Sequence, residues 1–332
     1  MLVRPHFQRL VERARMRPGV PAAFVYPADR DWLQLALSAA FAGFFEPVLV
    51  GPEARIRSTA EQAGLDISRF AVANTPDSTR EAVACAVELA RAGAVGALVR
   101  CSLANEDLLG RVAAADSGLR TDRRLSHAHF VDLPAIPRGL LLADAVLNIA
   151  PTLGAKKDVV RNTIDLAHAI GLAEPRVAVL SAIGTPSPAF PSSLDAQVLT
   201  AMAAQGIFGS AMVDGPLTAD VALSVDAARL QGVQSDVAGR ADVLIAPSME
   251  SAALLLRAMT TITGGFTAGI VLGARLPIIL PTRFESMESR IAACVLASLY
   301  ANRDNARVET GAAAASALGR TEATRAGHAA AG

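Results

Sequence analysis

The chain has 332 residues, with 31 Lys plus Arg balanced by 31 Asp plus Glu, so no basic surplus points to nucleic acid or to an anionic membrane surface. Its hydrophobic share of 52% comes largely from Ala, Val and Leu, with 4% aromatics, a composition that suits helices packed on a buried parallel sheet. No apolar run reaches the roughly 18–20 residues of a membrane span, and the length suffices for two ordinary domains, each with its own core. The first twenty residues carry scattered charges and no apolar h-region, so they do not read as a secretory signal. Cys85, Cys101 and Cys294 lie far apart, with no CxxC pair and no metal-ligand spacing, and read as small buried residues of a reducing compartment. The expected location is cytoplasmic, and no metal site is expected.

In chain order, PAAFVY (21–26) reads as a strand, followed by a helix from Asp31 to Gly43 and a strand PVLVG (47–51). A helix starts near Glu53, FAVAN (70–74) is a third strand, a longer helix runs from Asp77 to Gly93, and VGALVR (95–100) is a fourth strand. Strands alternating with helices predict a parallel sheet covered on both faces. The turn after the first strand is PADRD, not a Gly-rich fingerprint, so a nicotinamide site of the Rossmann kind is not supported. Asn105-Glu106-Asp107 reads as the acidic first turn of a helix. Arg120, Arg123 and Arg124 cluster just before a strand-like run in which His127 and His129 alternate; the expectation is that the two rings point to opposite faces and do not share one ion.

Residues 135–151 are a Pro/Gly-punctuated approach to a strand, and the domain crossover is placed there. Leu153 to Gly171 reads as an amphipathic helix with Gly171 at its C-terminal cap, and RVAVLSA (176–182) as a buried strand. The loop Ile183-Gly184-Thr185-Pro186-Ser187-Pro188 offers backbone and hydroxyl donors without charge; it lacks the Lys and the glycines of a P-loop. A helix follows with Ser192 or Ser193 as its cap. The next strand is read as stopping at Asp214-Gly215-Pro216, leaving an acidic side chain at its C-terminal end; a plain turn with Asp214 as a cap fits the same residues. A helix-like run, a strand at Asp242–Ala246 and a helix at Pro247–Thr263 come next. FTAGIVLGARLPIILP (266–281) supplies two strands, and Thr282-Arg283 falls between the last of them and a helix, where a hydroxyl beside a guanidinium suits a tetrahedral phosphate and a developing oxyanion. The Ala/Gly-rich end after Asn305 reads as a disordered tail, given as 311–332.

The blocks GLRTDRRLSHAHFVDLP (118–134), LLADAVLNIAPTLGAKKDVVRNTIDLAHAIG (141–171), EPRVAVLSAIGTPSPAFPSSLDA (174–196), VDGPLTADVALS with SDVAGRADVLIAP (213–247), and TAGIVLGARLPIILPTRFES (267–286) resemble the phosphate acetyl/butyryltransferase family, most nearly its butyryltransferase-like branch. The likeness covers about residues 20–305, in the family's order and spacing. It implies an α/β fold of two domains around a cleft, with mainly parallel sheets and an isocitrate/isopropylmalate dehydrogenase-like architecture. The first domain would be 1–134 plus 284–310, the second 135–283, and the assembly a homodimer. The implied reaction is acyl-CoA plus phosphate giving acyl phosphate plus CoA, with acetyl, propionyl or butyryl as acyl group. CoA and phosphate would be substrates, with no permanently bound cofactor.

The same resemblance assigns Arg283 and Thr282 to the phosphate and the developing charge. It gives Arg100, Arg124, Thr185 and Ser187 to phosphate or CoA, with Arg123 as the alternative to Arg124, and has Asp214 and Asp220 orient the cleft. Glu285 or Glu288, one helical turn apart, would be the base. The chain departs from the family at Ala104, where relatives carry His, at Ala252 and Ala253, where they carry Gly-Asn, and at Ser289, where acetyltransferases carry an Asp base. Those departures keep open a catalytically reduced CoA- or acyl-phosphate-binding protein. A decarboxylating dehydrogenase on the shared architecture would need an aspartate cluster and a nucleotide site, and neither is evident.

Overall fold

The computed structural model describes residues 4–303; residues 1–3 and 304–310 of the expected first domain, and the whole expected tail 311–332, lie outside the described residues. Helix α1 (Pro5–Arg15) precedes four parallel strand–helix units: β1 (Val20–Val25), α2 (Arg30–Phe41), β2 (Phe45–Gly51), α3 (Glu53–Ala63), β3 (Ala71–Asn74), α4 (Thr79–Arg91), β4 (Ala97–Arg100) and α5 (Asn105–Ala113). Each strand is a short apolar run, and each helix shows a buried stripe, such as Ala82, Val83, Ala86, Val87 and Ala90 on α4. Ser78 caps α4 by accepting the Glu81 amide.

Then come β5 (Ser126–Asp132), β6 (Leu140–Ala143), α6 (Leu153–Ala169), β7 (Arg176–Leu180), α7 (Pro191–Ala204), β8 (Met212–Leu217), α8 (Ala219–Leu223), α9 (Val225–Leu230), β9 (Val243–Ile245), α10 (Met249–Thr263), β10 (Phe266–Leu272), β11 (Ile278–Ile279) and α11 (Met287–Ala301). Among the described residues the strands form one sheet in the order β3-β2-β1-β4-β11-β10-β5-β6-β9-β7-β8. The first five run parallel, β10 is antiparallel to both β11 and β5, β6 is antiparallel to β5, and β9, β7 and β8 run parallel to β6. These reversals put the C-terminal ends of the two parallel runs on opposite edges of the sheet. The sheet is mostly parallel, as expected, with an antiparallel join that the periodicity does not show.

Three sequence expectations change. First, β8 does not stop at Asp214: it runs through Gly215 and Pro216 to Leu217, which an edge strand tolerates because its outer side needs no ladder donor. Second, α7 begins at Pro191 with Phe190 at its cap, and Ser193 instead binds the preceding loop, its hydroxyl taking the Ser187 amide at 2.9 Å. Third, His127 and His129 share one face, as residues two apart on a strand must, with ring centroids 4.3 Å apart. Gly269 on β10, paired with His129, leaves the room the two rings fill. Burial pushes the His127 imidazole down to about 3 and His129 well below its usual value.

Candidate active site

The strand order turns back between β1 and β4, since β2 and β3 lie to one side of β1 and β4 to the other. In open α/β sheets such a switch point, at the carboxyl ends of the strands, is where ligands bind. Asp29 follows β1 there, Arg100 ends β4, Ser102 follows it, and Thr282, Arg283 and Glu285 follow β11, which pairs with β4. Arg283 donates to Asp29 at 2.6 Å, and the Ser102 hydroxyl donates to the same carboxylate oxygen at 2.7 Å. Two-thirds of the Arg283 side chain remains exposed (68%). The edge is pinned by Tyr26, the one non-glycine among the described residues with positive φ (57°); its carbonyl accepts the amides of Ala28 and Ser102.

Glu285 accepts the Thr282 amide at 3.1 Å. Desolvation raises the pKa of its carboxyl, opposed by the Thr282 amide and the charges of Arg290 and Arg100, although the residue as a whole is exposed. Glu288 lies elsewhere, ion-paired with Arg4, the residue just before α1. Arg100 turns inward: its guanidinium donates to the carbonyls of Cys101 at 3.1 Å, Leu103 at 3.0 Å and Pro281.

The other sequence candidates stand on the opposite edge. Arg120, Arg123 and Arg124 precede β5 beside the C-terminal ends of β10 and β6, where Thr121 donates to the Gly273 carbonyl at 2.6 Å. They line a cavity of about 670 Å3 with Val112 and Ala113 of α5, and with Leu147 and Asn148. Arg123 is committed to Asp165 of α6 at 2.5 Å, whereas the Arg124 side chain is exposed. Thr185 is exposed in the loop after β7, and Ser187 is tied to Ser193. Asp214 lies within edge strand β8 and accepts the Gly215 amide at 2.8 Å. Asp220 is in α8, its pKa lowered by the Thr218 hydroxyl. β8 is six strands from β11, roughly 29 Å at about 4.8 Å per strand, so within one chain Asp214 and Arg283 do not meet.

Of the altered family positions, Ala104 sits at the start of α5 without a side-chain cap, Ala252 is fully buried in the core under α10, and Ser289 donates its amide to the Ser286 cap of α11 at 3.1 Å. Sequence reasoning missed Asp29, Ser102 and Arg290. Asp29 was legible only as part of a turn lacking glycine, and the side-chain pairing of Arg283 with a residue 254 positions away leaves no local signal. Among the described residues no group of three or more His, Cys, Asp or Glu gathers as metal ligands would.

A family model described as phosphate acetyl/butaryl transferase matches residues 77–298. The phosphate acetyltransferase of Rhizobium meliloti is 42% identical over 300 residues, 90% of this chain and 95% of that protein. The phosphate butyryltransferase of Clostridium acetobutylicum is 32% identical over 295 residues, 89% of this chain and 98% of that protein. Identity is higher to that acetyltransferase than to that butyryltransferase. A phosphotransacetylase from Streptococcus pyogenes superposes with a TM-score of 0.79 at 19% identity, covering 91% of this chain and 99% of that one. The architecture extends to a 4-hydroxythreonine-4-phosphate dehydrogenase from Klebsiella pneumoniae, with a TM-score of 0.52 at 15% identity over 85% of this chain and 99% of that one. The chain belongs to the phosphate acetyl/butyryltransferase family.

Proposed function

We propose that the protein is a phosphate acyltransferase that interconverts acyl-CoA plus phosphate with acyl phosphate plus CoA. The observation that carries this reading is the group Thr282, Arg283 and Glu285 at the β1/β4 switch point, in a chain 42% identical to a phosphate acetyltransferase. A phosphate oxygen attacks the thioester carbonyl carbon; the C–S bond breaks and the CoA thiolate leaves. Arg283 moves from Asp29 to the phosphate, which offers it a second anionic oxygen for a two-pronged bond. The Thr282 hydroxyl hydrogen-bonds the same group. Glu285, with its raised pKa, is the better-placed base, because Glu288 is held by Arg4. In reverse it takes the proton of the CoA thiol, whose reference pKa near 8.5 leaves little thiolate at neutral pH. Arg124, exposed in its own cavity on the other edge, is proposed to meet a phosphate of CoA.

The enzyme is further read as cytoplasmic; among the described residues no helix is long and apolar enough to cross a membrane. The chain is further read as two domains, 1–134 plus 284–310 and 135–283; β10 and β11 of the second pair with β5 and β4 of the first. A homodimer is supported by α10, where Leu254 and Ile262 are exposed by 64% and 80% two turns apart. The test of function is phosphate-dependent release of free CoA thiol from acetyl-, propionyl- and butyryl-CoA, with and without EDTA. Release that needs phosphate and ignores EDTA is expected, lowered about 100- to 1,000-fold in kcat by Arg283→Ala. No release from any thioester by folded protein overturns the reading and favours the binding-protein alternative, motivated by Ala104, Ala252, Ala253 and Ser289.

A further inference from the structure

We infer that Arg100 and Arg290 are positioning residues: packed against Trp32, they hold the backbone of Pro281–Arg283 and so set where the Thr282 hydroxyl and the Arg283 guanidinium stand. The inference rests on the transfer reading for its kinetic consequence and on geometry alone for the clamp. Trp32 of α2 is 1% exposed. The Arg290 guanidinium carbon lies 4.9 Å from its ring centre and that of Arg100 5.8 Å. Arg290, 3% exposed in the first turn of α11, donates from Nε to the Thr282 carbonyl at 3.1 Å and from Nη2 to the Arg283 carbonyl at 3.2 Å. Its remaining terminal nitrogen lies 3.7 Å from Asp31. Arg100 donates to the preceding carbonyl, that of Pro281. Three successive carbonyls are thus drawn to two cations on one aromatic ring, while the side chains of Thr282 and Arg283 face solvent.

A buried guanidinium is costly unless its donors are used. For Arg290 the two loop carbonyls use Nε and Nη2, with Asp31 and the ring face beside its charge; Arg100 uses its two terminal nitrogens on carbonyls, while its Nε is buried without a partner. Arg100 spends its terminal nitrogens on the carbonyls of Cys101, Leu103 and Pro281, which places it as a support of this loop. The planar fork matters: Arg290 bridges two carbonyls with fixed geometry, and a Lys, a point charge on a flexible stem, reaches them less well.

The test uses full-length protein carrying Arg290→Ala, Arg290→Lys or Arg100→Met. For folded Arg290→Ala, kcat for phosphate-dependent CoA release falls about a hundredfold, the loss expected of an ångström-scale misplacement, with KM for acyl-CoA little changed. Arg290→Lys is intermediate, and millimolar guanidinium chloride restores part of the Arg290→Ala activity. Trp32 is the only tryptophan, so its emission responds to inorganic phosphate in the wild type and not in Arg290→Ala. Amide exchange of residues 281–286 quickens in the variant. Wild-type kcat in folded Arg290→Ala, or unchanged exchange over 281–286, overturns the inference. Should Arg290→Ala fail to fold, Arg100→Met decides through the same exchange and kinetic readouts. Should the wild type release no CoA, the transfer reading fails, and the exchange arm still decides the clamp.

Discussion

Glu285 lies three residues after Thr282, takes its amide, and sits in the field of Arg100 and Arg290. Burial of its carboxyl outweighs those stabilising partners, so its pKa stands above the usual glutamate value. If it is the base, it works as the carboxylate. The acid limb of kcat/KM against pH then has its midpoint above the reference value of about 4.3, and Glu285→Gln flattens that limb while lowering kcat about 100-fold or more. A limb unchanged in Glu285→Gln removes it as the base. Stability gives a second, independent reading. The folded state holds this proton more tightly than the unfolded state, so the contribution of Glu285 is present below the unfolded value and is lost as pH rises through the raised folded value. Denaturant midpoints should therefore favour Glu285→Gln over the wild type increasingly as pH rises across that window. The pairing of Arg283 with Asp29, by contrast, is largely exposed and adds little stability; its importance is that it holds the guanidinium at the mouth of the site.

At the scale of elements, β10 is the strand on which the sheet reverses, and Gly269 is its narrowest point. A Cβ there would lie 2.8 Å from His129 Cδ2 and 3.1 Å from the Ala128 carbonyl oxygen, and closer still to the His127 ring. Neither ring can retreat freely, because both are packed side by side on β5. Gly269→Ala is expected to cost about 1–3 kcal/mol, the range for overpacking a filled interior, read as a lowered denaturant midpoint with unchanged slope. A midpoint equal to wild type would mean the join has slack. Elements whose apolar period is local, such as α2, α4, α6 and β7, are legible from sequence. The strand through Asp214-Gly215-Pro216 is not, because proline signals a break unless the strand is known to lie at an edge, and edge position is a property of the sheet.

At the scale of the molecule, the Arg283 group and the Arg124 cavity occupy opposite edges of one continuous sheet, fixed by the three antiparallel pairings β11/β10, β10/β5 and β5/β6. The proposed dimer belongs at this scale too. Replacing both Leu254 and Ile262 by Asp places charge on the exposed face of α10; sedimentation should then give the mass of one chain, against two for the wild type. Two-chain mass in the double variant would place the contact elsewhere, and one-chain mass in the wild type would remove the dimer.

What the sequence determined alone was local or written in words: apolar periods and caps that make the helices and strands, and the residue strings that carry the family, including Thr282-Arg283. Tertiary structure decided which of those words meet. Arg283 joins Asp29 and Ser102 because β11 is drawn in beside β4, while Glu288, one turn from Glu285, is taken by Arg4. Strand order and direction are set by packing between segments far apart in the chain, such as Asp29 and Arg283, 254 residues apart, and no period along the chain records them. The same holds for Arg100: as a residue it is a cation suited to phosphate, and only its place beside Trp32 and the Pro281 carbonyl makes it a support for another arginine.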